Sequence, residues 1–176
     1  MCIRDRPNSS LEELLQLLCD VTEYNELPVR HNEDNMNSVL AQHVPLPVDP
    51  GTFDSPHTKA HLLFQVHFSR GALPIVDYYT DTKTVLDQAI RILQAMIDVA
   101  ANEGWLTTVL RTSLLLQMVI QGRWGTDSTL LTLPHLDKSH LSAIMVGFVK
   151  WKKLYKNVPL ESVTGLPELV AVEQRE

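Results

Sequence analysis

Apolar positions in this chain recur three and four residues apart, the spacing of a helix face, and no stretch alternates strongly enough for a strand. Leu11, Leu14, Leu15 and Leu18 follow a Ser10 to Glu13 spacing that suits a capping box. The polar run Leu27-Pro-Val-Arg-His-Asn-Glu-Asp34 leads into a short helix carrying Met36, Val39 and Leu40, which Pro45, Pro47, Pro50 and Gly51 break. Ser55-Pro56 reads as an N-cap and a first-position proline for a helix bearing Leu62, Leu63, Val66 and Phe68, with Gly71 just past its end. Pro74 precedes a loop rich in Tyr and Asp. The longest pattern covers 80–103 and stops at Gly104, a glycine C-cap. Another helix runs from about Trp105 to Gln121, ended by Gly122 and Gly125. Beyond a boundary at Pro134, one helix is expected around Lys138 to Trp151 and a short segment over Leu160 to Val170. The pattern predicts an all-α chain: a leader at 1–8, a helical bundle over 9–133, and a further helical segment over 134–176.

The long helix carries the most information. With Arg91 at zero and about 100° per residue, Thr84, Asp87, Gln88, Gln94, Asp98 and Asn102 fall within about 60° of it, and Ala95 is the one apolar residue among them. The other directions hold Val85, Leu86, Ala89, Ile90, Ile92, Leu93, Met96, Ile97, Val99 and Ala100. A helix apolar over about two-thirds of its circumference is expected at the centre of a bundle, with its polar stripe facing water, a partner or a ligand. Spacing alone favours a solvated stripe, with Asp87 and Arg91 as an i,i+4 pair. The functional alternative is a rigid rod whose amides and one guanidinium meet successive phosphates or bases of a single strand.

Composition narrows the choice only locally. The chain has 176 residues, 44% of them hydrophobic, and a formal net charge of −6. That argues against a generally basic phosphate-coating protein, although it leaves room for a local groove. Met1 to Pro7 carry no periodic pattern and read as a translation remnant rather than a signal. Of Cys2 and Cys19, only Cys19 then looks native, and without a basic neighbour it reads as a structural thiol. No apolar run approaches the 18 or so residues of a membrane span.

Other constellations are weaker. His57 and His61 have an i,i+4 spacing that suits zinc, with His67 as a possible third ligand, but they read more simply as helix-surface histidines. His31 and Asp34 have the residue types of an acid/base pair, and no more than that; Asn32 or Asp34 reads better as a helix cap. Trp105, Trp124 and Trp151 are expected as anchors. Lys150, Lys152, Lys153 and Lys156, interleaved with Trp151 and Tyr155, form the basic cluster; a solvated helix end is its simpler reading, nucleic-acid contact the sharper one. No glycine is followed by lysine and no Asp-Glu dipeptide occurs, so a Walker A loop and the acidic Mg-binding motif of helicases are both missing from this stretch.

Several blocks taken together are more specific. They are Leu27-Pro-Val-Arg-His-Asn-Glu-Asp34, Asp54-Ser-Pro-His-Thr-Lys59, the segment from Asp81 to Asp98, Gly104-Trp-Leu106 and Gln117-Met-Val-Ile-Gln-Gly-Arg-Trp124. In this order they resemble the Sec-sixty-three homology module of large superkiller-like helicases, over roughly Ser9 to Val170 and more loosely after Leu133. The resemblance implies a helical bundle, a helix-loop-helix and a sandwich, of which this chain would hold the bundle and, over 134–176, an incomplete second part. It makes 80–103 a ratchet-type helix lining a nucleic-acid channel, with Arg91 as the strand contact. Gln88, Gln94, Thr84 and Asp87 are then its neighbours in the interface. It implies an ATP-dependent 3'-5' helicase as parent, with ATP and Mg held by motor domains of the same polypeptide and no cofactor or metal in this chain. Single-stranded DNA or RNA and other subunits of the helicase's complex would be the partners, with no membrane. The family roles are alkylation-damage repair and rescue of stalled ribosomes, in nucleus and cytoplasm. The alternative is a protein-interaction scaffold, as in the endoplasmic-reticulum translocon component with the same homology.

Overall fold

A computed structural model describes residues 8–133, 135–136, 138–144 and 146. Among them the chain is helical and has no strand. It divides into two compact units, Met1–Gly125 and Thr126–Glu176.

Among the described residues the first unit contains five α-helices: α1 (Leu11–Cys19), α2 (Glu33–Ala41), α3 (Pro56–Ser69), α4 (Val76–Asn102) and α5 (Leu106–Gln121). Helix α1 opens on the expected capping box, with Glu13 N donating to Ser10 Oγ at 3.1 Å and Ser10 N to Glu13 Oε2 at 2.8 Å. Two other expected caps differ. Asn32 stands at the N-cap of α2 in the left-handed region (φ 69°), but its Oδ1 accepts from Asn35 Nδ2 instead of a backbone amide. Ser55 precedes Pro56 as expected, without a side-chain cap bond. At the other end of α3 the left-handed residue is Arg70 (φ 52°), not Gly71, and Gly71 N returns to Val66 O at 2.9 Å.

Helix α4 begins at Val76, so the expected Tyr- and Asp-rich loop is its first turn. The cause is tertiary. Tyr78 is fully buried, its hydroxyl donating to Asn37 Oδ1 at 2.8 Å, and Asp81 is held by two cations. The far end matches expectation. Gly104 (φ 75°) donates to Ala101 O and Trp105 N to Ala100 O, the two bonds of a Schellman motif.

The centre of the bundle is α3 rather than α4. Every residue from Thr58 to Val66 is buried, as is Phe68, and the helix packs against α1, α2, α4 and α5. Its polar members hid this, and three of them are satisfied internally. The Gln65 side chain accepts from Leu46 N at 2.7 Å and donates to Leu46 O at 3.2 Å, fixing the proline-rich loop; Thr58 donates to Thr52 Oγ1; Lys59 joins an ionic network. Helix α4 buries a single face through Val85, Ala89, Ile92, Leu93, Met96 and Ala100, while Leu86, Ile90 and Ile97 are half-buried and Val99 is exposed. An aromatic column, Tyr24–Phe64–Phe68–Trp124, runs through the core with centroid separations of 6.2, 6.1 and 5.2 Å.

In the second unit, Thr129–Thr132 form a 3-10 turn, residues 138–144 are helical, and Lys138 pairs with Asp127 at 3.0 Å. Of the expected leader, residues 1–7 lie outside the described residues, and Asn8 accepts from the Arg111 guanidinium. Trp151, the basic cluster and the segment at 160–170 also lie outside them.

Candidate nucleic-acid interface

The stripe exists as a surface. Thr84, Asp87, Arg91, Gln94, Asp98 and Asn102 are exposed along α4, and Gln88 and Ala95 are half-buried. Because the helix starts early, the stripe also takes in Asp77, and Thr80 at the start of the expected span belongs to it too; both are exposed and within about 40° of Arg91's direction. At about 1.5 Å per residue the 27-residue helix gives this edge a length near 40 Å. Its opposite face is core, so its side chains stand on a rigid support.

The expected Asp87–Arg91 ion pair does not form. Arg91 Nη2 donates to Gln88 Oε1 at 2.5 Å, one turn back on the same edge. Thr84 Oγ1 donates to Thr80 O at 3.2 Å. Among the described residues Asp87, Arg91 and Asp98 take part in no ion pair, which leaves two acids and one guanidinium to face solvent along the middle of the edge.

A second constellation holds the head of this helix. Lys59 Nζ, with no exposure, donates to Glu33 Oε2 (2.6 Å), Asp81 Oδ2 (2.7 Å) and Pro28 O (2.6 Å), and it lies 4.7 Å from the centroid of Tyr78. Arg30 Nη1 donates to Glu33 Oε1 (2.9 Å) and Asp81 Oδ2 (2.7 Å), and Nη2 to Asp81 Oδ1 (3.2 Å). Arg30 Nε reaches Asp77 at 3.4 Å, tying the buried network to the exposed edge. Burial by itself would push the Glu33 and Asp81 carboxyls up; the hydrogen bonds from Lys59 and Arg30 outweigh it and hold both below the usual range. The same two carboxylates lift Arg30 further above its already high value. Residue types alone did not reveal this network, since its members come from the 27–34 block, α3 and the unexpected first turns of α4.

The remaining candidates separate. His31 and Asp34 are exposed and no bond joins them. His57 engages Cys19 O through Nδ1 and Asn25 Oδ1 through Nε2, both at 2.8 Å, so neither ring nitrogen is left for a metal. His61 is buried and its basicity is lowered by burial, and His67 Nε2 donates to Val119 O. Among the described residues no group of three His, Cys, Asp or Glu is placed to hold a metal. Cys19 is buried, and burial pushes its thiol up, away from the thiolate a nucleophile needs. Trp124 packs edge-on against Phe68 and donates to Ser69 Oγ, whereas Trp105 is half-buried at the start of α5. Among the described residues no helix is long and apolar enough to cross a membrane.

The chain is similar over most of its length to known proteins. Residues 3–170 match the model of the Sec63 Brl domain. The chain is 58% identical over 170 residues to human activating signal cointegrator 1 complex subunit 3, covering 95% of this chain and 8% of that protein. It is 49% identical over 163 residues to the DExH-box ATP-dependent RNA helicase DExH14 of Arabidopsis thaliana, covering 92% and 8%. Against the human U5 small nuclear ribonucleoprotein 200 kDa helicase the figures are 41% over 128 residues, 73% and 6%. The chain thus spans less than a tenth of the length of these relatives.

Proposed function

The chain belongs to the Sec63 Brl domain family, and from that premise we propose that it is an accessory module of a helicase whose α4 edge lines the channel for the translocating single strand. Relatives named as helicases share this segment, which supports the accessory reading over a translocon scaffold. The observation that carries the channel reading is the long polar edge of α4, exposed except at half-buried Gln88 and Ala95, on a helix whose other face is core. Such an edge presents polar groups at fixed spacing and can hold a strand without reorganising.

In this reading Arg91 meets a phosphate or stacks on a base, with its guanidinium oriented by Gln88. Gln88, Gln94 and Thr84 supply neutral contacts, and Asp87 lies beside them. A single cationic contact gives grip without trapping, which a moving strand requires. Motor domains of the same polypeptide would bind ATP and Mg and drive 3'-5' movement on DNA or RNA. Other cointegrator-complex subunits would dock on the assembly. Alkylation repair and rescue of stalled ribosomes, in nucleus and cytoplasm, are the processes it would serve.

The test is Arg91→Ala in the full-length helicase carrying this module. Single-strand affinity is expected to fall about tenfold, the loss of one charge-assisted contact, with slower unwinding and an unchanged melting temperature. Wild-type unwinding at low motor concentration removes Arg91 from the channel.

A further inference from the structure

The edge of α4 is not built for maximum grip. Asp87 lies one turn before Arg91 and Asp98 two turns after it. Both are exposed, and both fall on the same flank, within about 40° of the arginine's direction. Neither acid pairs with Arg91, whose bond goes to Gln88 on the other flank. Asp77, at the head of the same edge, by contrast lies 3.4 Å from Arg30 Nε. The middle of the edge therefore carries two carboxylates in no ion pair around one guanidinium, with the exposed Lys83 one turn before Asp87 on its outer side.

Exposed acids in no ion pair beside a phosphate path oppose binding, and Coulomb repulsion over a helical turn in water acts on each strand position that passes. Asp87 and Asp98 are not needed for the fold, since neither is buried nor hydrogen-bonded to another element. We propose that Asp87 and Asp98 are counter-charges that limit the hold of the α4 edge on a single-stranded polynucleotide, so that the strand is released from Arg91 at each step. This deepens the channel reading and rests on it. The ligand is the phosphate backbone shared by DNA and RNA. Repulsion from the two acids makes Arg91's attraction short-ranged: it acts on the phosphate in contact and is cancelled for those approaching or leaving.

The experiment uses the full-length helicase carrying this module, with single-stranded oligothymidylate and oligouridylate as probes, titrated over a range of salt. The variants are Arg91→Ala, the double variant Asp87→Asn/Asp98→Asn, and a control, Glu12→Gln/Glu26→Gln, which removes two exposed acids outside α4. The Asp variant is expected to bind both probes more tightly at low salt, by about threefold per acid, with the gain vanishing at high salt as screening takes over. Strand dissociation slows in step, and the control stays at wild type. Arg91→Ala weakens binding and makes the salt dependence shallower by about 0.7 in log–log slope, the value for one phosphate of a single strand. If Arg91→Ala weakens binding while the Asp variant binds like wild type, the counter-charge inference falls and the channel reading stands. Equal tightening by the control reduces the effect to net charge and overturns the inference as well. If neither Arg91→Ala nor the Asp variant alters binding in a protein that melts normally, the channel reading falls, and the inference with it.

Discussion

Lys59 is the residue on which most of the buried charge depends. Its ammonium has no exposure and is bonded to Glu33, Asp81 and a backbone carbonyl. Lys59→Met keeps the volume and removes the charge, leaving two buried carboxylates to share Arg30. The expected loss is about 3 to 5 kcal/mol at neutral pH, read as a shift in urea midpoint at constant slope. The pH dependence has a definite sign. Glu33 and Asp81 have folded values held below normal, so their contribution is complete above the unfolded carboxylate range of about 4 and is lost as pH falls through the folded values. In Lys59→Met the carboxylates repel, and protonation relieves them, so the gap between variant and wild type should narrow in acid; a constant gap would show that the carboxylates do not feel the lysine. His61 adds an earlier acid loss. Burial lowers its folded value, so its contribution is present above about 6.5 and declines as pH falls below that. His61→Gln should flatten the stability profile just below about pH 6.5 and leave the carboxylate-controlled part in place.

Helix ends decide where the elements turn, and two glycines separate conformation from packing. Gly104 has φ 75°, and a Cβ there would meet nothing within 4 Å, so Gly104→Ala should cost only the left-handed backbone penalty, about 1 kcal/mol. Gly122 has φ 56°, and a Cβ there meets His67 Cε1 at 3.3 Å, on a ring held by Val119 O. Gly122→Ala should therefore lose about 1 kcal/mol more, with the difference disappearing when His67 is shortened to Ala. Equal losses at the two sites would show that the His67 ring yields freely. At this scale the Ser10 capping box, the Pro56 start and the Gly104 stop were legible, because each depends on residues close in sequence. The start of α4 was not. Val76 to Thr80 carry no helical pattern strong enough alone, and they become helical because Tyr78 and Asp81 find partners on α2 and α3.

For the bundle as a whole, α3 is the hub and Phe64 its central side chain, fully buried between Tyr24 and Phe68. Phe64→Ala should cost about 3 to 5 kcal/mol by thermal or urea unfolding, whereas Arg91→Ala should leave the same measurement unchanged. That contrast separates what holds the bundle from what its edge does. The helical class, most helix boundaries and the polar edge of α4 followed from the sequence by itself, because helical periodicity and caps are local and a polar stripe on a long apolar helix has to face outward. Which helix is central, where α4 begins and how Arg30, Glu33, Lys59 and Asp81 neutralise one another were settled only by the tertiary structure. A buried charge or amide looks like a surface residue until its partner, distant in the chain, is brought within hydrogen-bonding reach.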